Sequence, residues 1–564
     1  MNRVVSNSAW GQALVDLLAT MGVGRFFISP GARSSAIVAA LSQKNRADLT
    51  VHYDERGMSF AALGWAMATG KPAVCVTTSG SAVANLLPAC VEASYSGVPL
   101  IFLTSDRPPE LRGTGANQAI YQPEIFGRFV RGAADFPCPE DARNVLELLA
   151  AVRSTVELAV GANPGPVHLN VPFREPLLPP GALSLGQEFP NPLTESQTTD
   201  SSIRVPHSFF DTNKGAILIG RLPPNEQKDV RAVLELGSRL GWPVFADALS
   251  GARLIEGVIG HADWILQRND ISRPERVLHF GGALVSKRLG MWASDCKGSD
   301  YLQVRRSPLP LDPWNQIPTC ITAGIREFIE AIPSPIFQSD SHFQDDWQKA
   351  NKAVAEIVAA HVKEPLDLSE PAIARIVAEF SASTGMPVFL GNSMPVRDFD
   401  SCAPSLSRKP VPVYGNRGAS GIDGNVSTLA GVAMATQSPV LALMGDLTLL
   451  HDLNSLPLLK NLPLKLVVVN NDGGGIFQFL PLAIDAATRE QLWETPHGFD
   501  FRAAAAQFAT GYKKISTSIE LREALALQSN GPVILECQTK RPDNHALHLR
   551  MADEVRNLPL AWHP

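Results

Sequence analysis

The feature that most constrains this chain is a series of short segments, apolar throughout, each followed by a helical pattern. "RFFIS", "AVCVTTS", "LIFLTSD" and "VHLNVP" mark the first third. "GAILIG", "WPVFAD" and "RVLHFGG" mark the middle, and "MPVFLG", "PVLALMGD", "KLVVVNND" and "PVILEC" the last. Continuous apolar strands separated by helices imply buried parallel sheets with helices on both faces. The fold class expected is α/β, in doubly wound parallel sheets.

At 564 residues the chain is too long for one core. Two polar, turn-rich stretches, "PNPLTESQTTDSSIRVP" (190–206) and "AIPSPIFQSDSHFQDD" (331–346), read as linkers. They cut the chain into three α/β domains at 1–190, 205–333 and 345–564. The net charge of −6 offers no basic footprint for nucleic acid. The seven cysteines are scattered and form no C-x-x-C pair, which fits a reducing cytosol rather than a disulfide framework or zinc site. No apolar stretch approaches the ~20 residues of a spanning helix, and the N-terminus has no signal-like apolar run. A cytoplasmic protein without a membrane span is expected.

The first and last domains echo each other. "KPAVCVTTSGSAVANLLPACVEASYSGVPLIFLTSD" from Lys71 and "SPVLALMGDLTLLHDLNSLPLLKNLPLKLVVVNND" from Ser438 both read strand, turn, helix, Pro-Leu, strand. This suggests duplicated domains that share a site, with ligands at the carboxyl ends of their strands.

Within the second echo, Asp446 follows one buried strand and Asn470–Asn471 end the next, with Gly473 and Gly474 beyond. If both strands lie in one parallel sheet, Asp446, Asn471 and the Gly473 carbonyl emerge at one edge. Three hard oxygens suit Mg²⁺ completed by phosphate oxygens and water. Gly445 lets the backbone approach a diphosphate. The plainer reading is a turn with an Asp cap. In "VHYDERGMSF" (51–60), Asp54, Glu55 and Arg56 sit where a strand hands over to a helix, and there the plainer reading is a solvated loop with an N-cap.

Gly-Asp followed by Asn-Asn resembles the signature of thiamine diphosphate enzymes, with Leu447 where that signature has its second Gly. The resemblance implies a pyrimidine-binding domain paired with a diphosphate-binding domain, usually across a dimer interface. It also implies a catalytic glutamate on the pyrimidine ring, at Glu55, which would protonate the ring nitrogen.

The resemblance then narrows. "ISPGARSSAI" (28–37), "HYDERG" (52–57), "TSGSAVANLLPA" (78–89), "LTSDRPPELRGTGANQAI" (103–120), "SKRL" (286–289), "GNSMPVRDFD" (391–400), "NRGASGIDG" (416–424) and "VVNNDGGGIFQFLP" (468–481) are similar to the 2-succinyl-5-enolpyruvyl-6-hydroxy-3-cyclohexene-1-carboxylate synthase family of menaquinone and phylloquinone biosynthesis. It implies decarboxylation of 2-oxoglutarate and conjugate addition of the succinyl semialdehyde unit to isochorismate. Thiamine diphosphate and Mg²⁺ (or Mn²⁺) would serve as cofactors, in a homodimer or dimer of dimers with active sites at the interface.

Both substrates are dianions, and Arg matches carboxylate bidentately. By resemblance, Ser393, Arg397 and Arg417 serve 2-oxoglutarate. Arg33, Arg107, Asn117, Gln118 and Arg288 serve isochorismate, with Lys287 nearby. Thr78, Ser79, Gly80, Ile476, Phe477 and Leu447 lie close to the cofactor, and Ile422 props it into a bent shape. For the Arg residues the plainer alternative is a salt bridge, for Asn117 and Gln118 a loop-satisfying role, and for Ile422 a core position. Ala32 stands where the family has Ser. The alternatives for the whole chain are another thiamine diphosphate lyase, such as an acetolactate synthase-like enzyme with a flavin in the middle domain, or a non-catalytic nucleotide-binding protein.

Overall fold

The computed structural model describes residues 6–43, 48–141, 145–178, 203, 205, 207–308, 311–316, 318–332, 342–362 and 368–563. Most of both expected linkers lies outside the described residues. By internal contacts the chain forms two compact units, Met1–Asp200 with Asn416–Ala435, and Ser201–Gly415 with Thr436–Pro564.

The first unit holds a six-stranded sheet of β1 (Arg25–Ile28), β2 (Asp48–Val51), β3 (Ala73–Thr77), β4 (Leu100–Asp106), β5 (Ala133–Asp135) and β6 (Val167–Pro172). The order is 2-1-3-4-6-5, and every pairing is parallel. β3, β4 and β6 are buried along their whole length, as continuous apolar runs require. Each fully buried Val, Leu or Phe side chain contributes about 1.5–3 kcal/mol.

The second unit holds two sheets. The middle one joins β7 (Gly215–Ile219), β8 (Val244–Ala246), β9 (Arg276–Phe280), β10 (Tyr301–Arg305) and β11 (Thr319–Thr322) in the order 11-10-9-7-8. The last joins β12 (Val388–Leu390), β13 (Val413–Tyr414), β14 (Val440–Gly445), β15 (Leu464–Asn470), β16 (Gly511–Ile515) and β17 (Val533–Gln538) in the order 13-12-14-15-17-16. Counted within its own sheet, that order is again 2-1-3-4-6-5. The two echoing sequences fall on the third and fourth strands of each sheet, β3–β4 and β14–β15.

Ligands of doubly wound sheets bind beyond the carboxyl ends of the strands, where the strand order reverses. Here that point lies between β1 and β3, between β7 and β9, and between β12 and β14. In the middle sheet the chain fills it. Arg221 N donates to Ala283 O at 3.2 Å and Gly282 N to Arg221 O at 2.8 Å. A methyl on Gly220 would sit 1.9 Å from the Gly282 carbonyl.

The helix Asn425–Thr436 belongs, through Ala435, to the first unit. A Cβ on Gly64, in helix Glu55–Thr69, would lie 2.0 Å from Thr428 O, and one on Gly431 would lie 2.0 Å from Ala61 O. These two helices therefore touch backbone to backbone, and only glycine permits that distance.

Candidate active site

β14 and β15 are paired in register, Gly445 opposite Val469, so their ends emerge side by side. Asp446 opens helix Asp446–His451 and is buried. Its Oδ1 accepts from Leu447 N at 2.6 Å, and its Oδ2 from Gly473 N at 2.9 Å and His497 Nε2 at 3.2 Å. Oδ1 keeps a second lone pair. Burial pushes this carboxyl above its ordinary range, against the Gly473 and Leu447 amides and His497. A buried carboxylate of this kind favours a nearby cation.

The two asparagines differ. Asn470 Nδ2 donates to Glu536 Oε1 (2.7 Å) and Phe499 O (2.9 Å), and its Oδ1 accepts from Asp472 N (3.1 Å). It is fully engaged in structure. Asn471 Nδ2 donates to Glu370 Oε1 at 2.8 Å, while its buried Oδ1 has no partner. Gly473 has φ +129°, and a Cβ there would meet Glu494 O at 2.1 Å, so only glycine fits. At Gly445, by contrast, an added Cβ meets nothing within 4 Å. The edge thus joins a buried carboxylate, an unpaired amide oxygen and open space beside the strand end with the Gly473 carbonyl, which is not free as expected but accepts from Gly475 N at 3.0 Å and keeps one lone pair. That donor set fits a hard divalent cation carrying a diphosphate. Among the described residues no three His, Cys, Asp or Glu side chains gather as a metal cluster, so this mixed set is the one to consider.

Leu447, Ile476 and Phe477 are half-buried at the same edge, the last two in the turn Gly475–Phe479. Ser393, at φ +72°, stands at the N-terminus of helix Met394–Cys402 beyond β12 without a side-chain bond to the helix amides, and Arg397 NH1 donates to Ser393 O at 2.5 Å. Lys287 and Arg288 are exposed on helix Lys287–Ala293, where Arg288 pairs with Asp263 at 2.7 Å.

In the first unit, Asp54 caps helix Glu55–Thr69, accepting from Arg56 N (2.9 Å) and Gly57 N (3.3 Å). The cap role is thus taken by Asp54. Glu55 is half-buried and opens the helix rather than ending β2, which stops at Val51. Arg33 is buried beyond β1. It donates to Phe173 O at 2.8 Å and to Glu175 at 3.2 Å, leaving Nε unpaired. Ala32 begins the same short turn, Ala32–Ser34. Thr78, Ser79 and Gly80 follow β3, and Thr78 Oγ1 accepts from Arg33 N at 3.3 Å. Gln118 Nε2 donates to Ser79 O (2.9 Å), and Ser79 Oγ donates to Gln118 O (3.0 Å). Gln118 thus bonds the Ser79 loop backbone through Nε2, while its neighbour Asn117 is exposed. Arg107, half-buried after β4, has an unpaired Nε. Arg417 and Ile422 are half-buried on a loop held by Glu92, whose carboxylate accepts from Gly418 N and Ala419 N, both at 2.7 Å. Gly421 and Asp423, on either side of Ile422, line a pocket of about 420 Å³.

Three family models match in sequence: thiamine pyrophosphate enzyme, N-terminal TPP binding domain (residues 9–125), middle domain of thiamine pyrophosphate (187–388), and thiamine pyrophosphate enzyme, C-terminal TPP binding domain (407–537). Among curated proteins, the 2-succinyl-5-enolpyruvyl-6-hydroxy-3-cyclohexene-1-carboxylate synthase of Rubrobacter xylanophilus is 41% identical, covering 96% of this chain and 97% of its own. Those of Salinibacter ruber (38%; 97% and 96%) and Chlorobium phaeobacteroides (35%; 99% and 99%) follow.

The chain belongs to this synthase family. Its three parallel-sheet domains are those of thiamine diphosphate enzymes, as the apolar runs led one to expect.

The synthase fold brings Gly445, Asp446, Leu447, Asn471, Gly473, Ile476 and Phe477 to one edge, and Arg33, Thr78, Ser79, Gly80 and Gln118 to another. Four residues at the first of these edges escaped sequence reasoning. His497 touches Asp446, Glu370 holds Asn471, and Arg541 donates to Asn471 O at 2.8 Å and to Glu494 at 2.9 Å. Glu494 O accepts from Gly474 N at 2.7 Å. Each is distant in sequence from the motif it supports, and none sits in a motif of its own.

Proposed function

We propose that this chain joins 2-oxoglutarate to isochorismate with loss of CO₂, forming 2-succinyl-5-enolpyruvyl-6-hydroxy-3-cyclohexene-1-carboxylate. The observation that carries the reading is the identity of 35–41% to synthases of that name over 96–99% of the chain. Thiamine diphosphate, when bound, supplies the carbon nucleophile and the electron sink for decarboxylation.

The chain's own residues supply binding, orientation and proton handling. Asp446, Asn471 Oδ1 and the Gly473 carbonyl would hold Mg²⁺ or Mn²⁺, and the open space at Gly445 would admit the diphosphate. Glu55, whose helix is already capped by Asp54, would hold and move a proton at the pyrimidine nitrogen. Ile422, Leu447, Ile476, Phe477 and the Thr78–Gly80 turn would wall the cofactor. Arg397, Arg417 and Ser393 would orient 2-oxoglutarate. Arg33, Arg107, Asn117, Gln118, Lys287 and Arg288 would receive isochorismate. The anchoring of Arg33 on Phe173 and Glu175 supports a fixed direction for its guanidinium. We place the site between subunits of a homodimer or dimer of dimers in the cytoplasm, at the end of the sequence-derived domains 1–190 and 345–564. No helix among the described residues is long and apolar enough to cross a membrane.

The test is mass spectrometry of a reaction holding the protein, both substrates, thiamine diphosphate and Mg²⁺. The expected product carries isochorismate plus a four-carbon succinyl unit. An acetolactate-type product from pyruvate, with no reaction on isochorismate, overturns the reading.

A further inference from the structure

We propose that Glu370 is a positioning residue for the divalent cation: it turns the Asn471 amide so that Oδ1, and not Nδ2, faces the cation site. The inference rests on the assignment of that cation to Asp446, Asn471 and the Gly473 carbonyl.

A primary amide has two ends of similar shape and opposite hydrogen-bonding character, so an asparagine ligates a cation only if something fixes its flip. Glu370 Oε1 already accepts from Thr539 Oγ1, so it presents an acceptor, and the amide end that faces it must be the NH₂. Glu370 is buried, and its Oε1 lies 2.8 Å from Asn471 Nδ2. The same oxygen accepts from Thr539 Oγ1 at 3.2 Å, which steadies it. Its backbone is set as the first residue of helix Glu370–Thr384, where Ser369 accepts from Ala372 N and Pro371 follows. The Asn471 backbone is held in turn by Arg541 on its carbonyl. With both ends anchored, Oδ1 has one direction left, and it is buried with no partner in the chain.

The neighbouring pair sharpens the point. Asn470 also gives its NH₂ to a buried glutamate, Glu536. There the amide oxygen is consumed by Asp472 N. The two asparagines share one device, and only Asn471 emerges from it with an acceptor to offer. Outer partners of this kind orient metal ligands, and removing them typically costs ~10–100-fold in metal affinity.

The experiment titrates the full-length protein with Mn²⁺ in the presence of thiamine diphosphate and reads free Mn²⁺ by electron paramagnetic resonance. Glu370→Met keeps the bulk and removes the acceptor, and Mn²⁺ affinity should fall ~10–100-fold. Glu370→Gln, which retains an acceptor oxygen, should bind within about threefold of wild type, a rescue that loss of packing does not predict. Should Glu370→Met fail to fold, a swapped pair decides. Asn471→Asp sets two carboxylates against each other and should lose Mn²⁺ affinity. Adding Glu370→Gln restores one donor and one acceptor and should regain at least tenfold. Wild-type Mn²⁺ affinity in folded Glu370→Met, or no regain in the swapped pair, overturns the inference. Asp446→Ala separates the two levels. Wild-type Mn²⁺ binding in that variant sinks the cation site itself, whereas loss there with an unaffected Glu370→Met sinks only the positioning role.

Discussion

β4 in the first sheet and β15 in the last hold the same place in the same strand order, and each delivers polar residues from a buried strand. They end differently. Asp106, at the end of β4, already has its counter-charge: the Arg112 guanidinium and Asn170 each donate to it at 2.9 Å and Arg107 N at 2.7 Å. What the first edge leaves unpaired includes donors, the Nε atoms of Arg33 and Arg107. The last edge leaves an acceptor, Asn471 Oδ1, beside the Asp446 carboxylate. Duplicated topology fixes where a ligand approaches, and the side chains at the strand ends fix its sign. An edge with spare cationic donors suits carboxylate substrates, and one with spare oxygens suits a cation. The middle sheet is the counterexample, since its own backbone closes the same crevice.

The comparison breaks most sharply at Asp446. Truncating one partner of a buried charge interaction costs about 2–5 kcal/mol, roughly 30- to several-thousand-fold in affinity. Asp446→Ala should therefore lose thiamine diphosphate binding to that degree in calorimetry with Mg²⁺. Unchanged affinity would mean that the last edge is not the acceptor edge. Glu55→Gln tests the other unit. It should bind the cofactor normally, because the residues proposed to hold the cation and diphosphate lie in the other unit, yet react ~10²–10⁴-fold more slowly. Thiazolium proton exchange, followed by quenched-flow NMR, isolates that step, and wild-type exchange with cofactor bound would remove Glu55 from the chemistry.

The arginines give a smaller, selective effect. Arg397→Ala should raise KM for 2-oxoglutarate about tenfold or more, the cost of a lost charge-assisted hydrogen bond at ~1.5–3 kcal/mol, with little change for isochorismate. Arg33→Ala should do the reverse. Steady-state kinetics with one substrate varied at a time decides, and an effect confined to the other substrate exchanges the two assignments.

Most of the legible strands are those buried on both faces; β2, read as a strand ahead of Asp54 though largely exposed, is the exception. β3, β4, β6, β14 and β15 stood out as unbroken apolar runs because helices cover them on each side. The edge strands β5, β11 and β16 are partly exposed, so their sequences carry mixed polarity and gave no signal. β10, though buried, alternates Gln and Arg with apolar residues and was missed for the same reason. The motif at 445–474 was legible because its polar residues stand at the ends of such strands. Glu370, His497 and Arg541 were not, because long-range packing alone brings them there. The helix Asn425–Thr436 was likewise unreadable as a partner of helix Glu55–Thr69, since Gly64 and Gly431 signal a close approach without saying to what.

The smallest effect concerns pH, and here the two regions should respond with opposite sign. His168 on β6 is buried, with Nε2 2.7 Å from Thr104 Oγ1, and burial pushes it down to about 4 against a modest pull from Asp135. The unfolded residue titrates near 6.5. Between about 4 and 6.5 the unfolded chain therefore holds a proton that the folded chain lacks. Stability from His168 is complete above pH 6.5 and declines in acid, by at most ~1.4 kcal/mol per pH unit. His548, in helix Arg541–Arg556, is opposed by burial but raised overall by Asp398 at 3.0 Å, the Asn544 carbonyl and Glu370. His545 also faces it, and the rings of Trp264 and Phe479 pack against it. Its contribution is complete below pH 6.5 and is lost as pH rises through its raised folded value. Thermal unfolding of His168→Gln and His548→Gln should be followed from pH 5 to 8. The first should flatten the acid fall in Tm by a few degrees, and the second should leave that fall unchanged and flatten the decline above pH 6.5. Slopes that change in the same direction in both variants would show that the two histidines do not differ in the way their surroundings require.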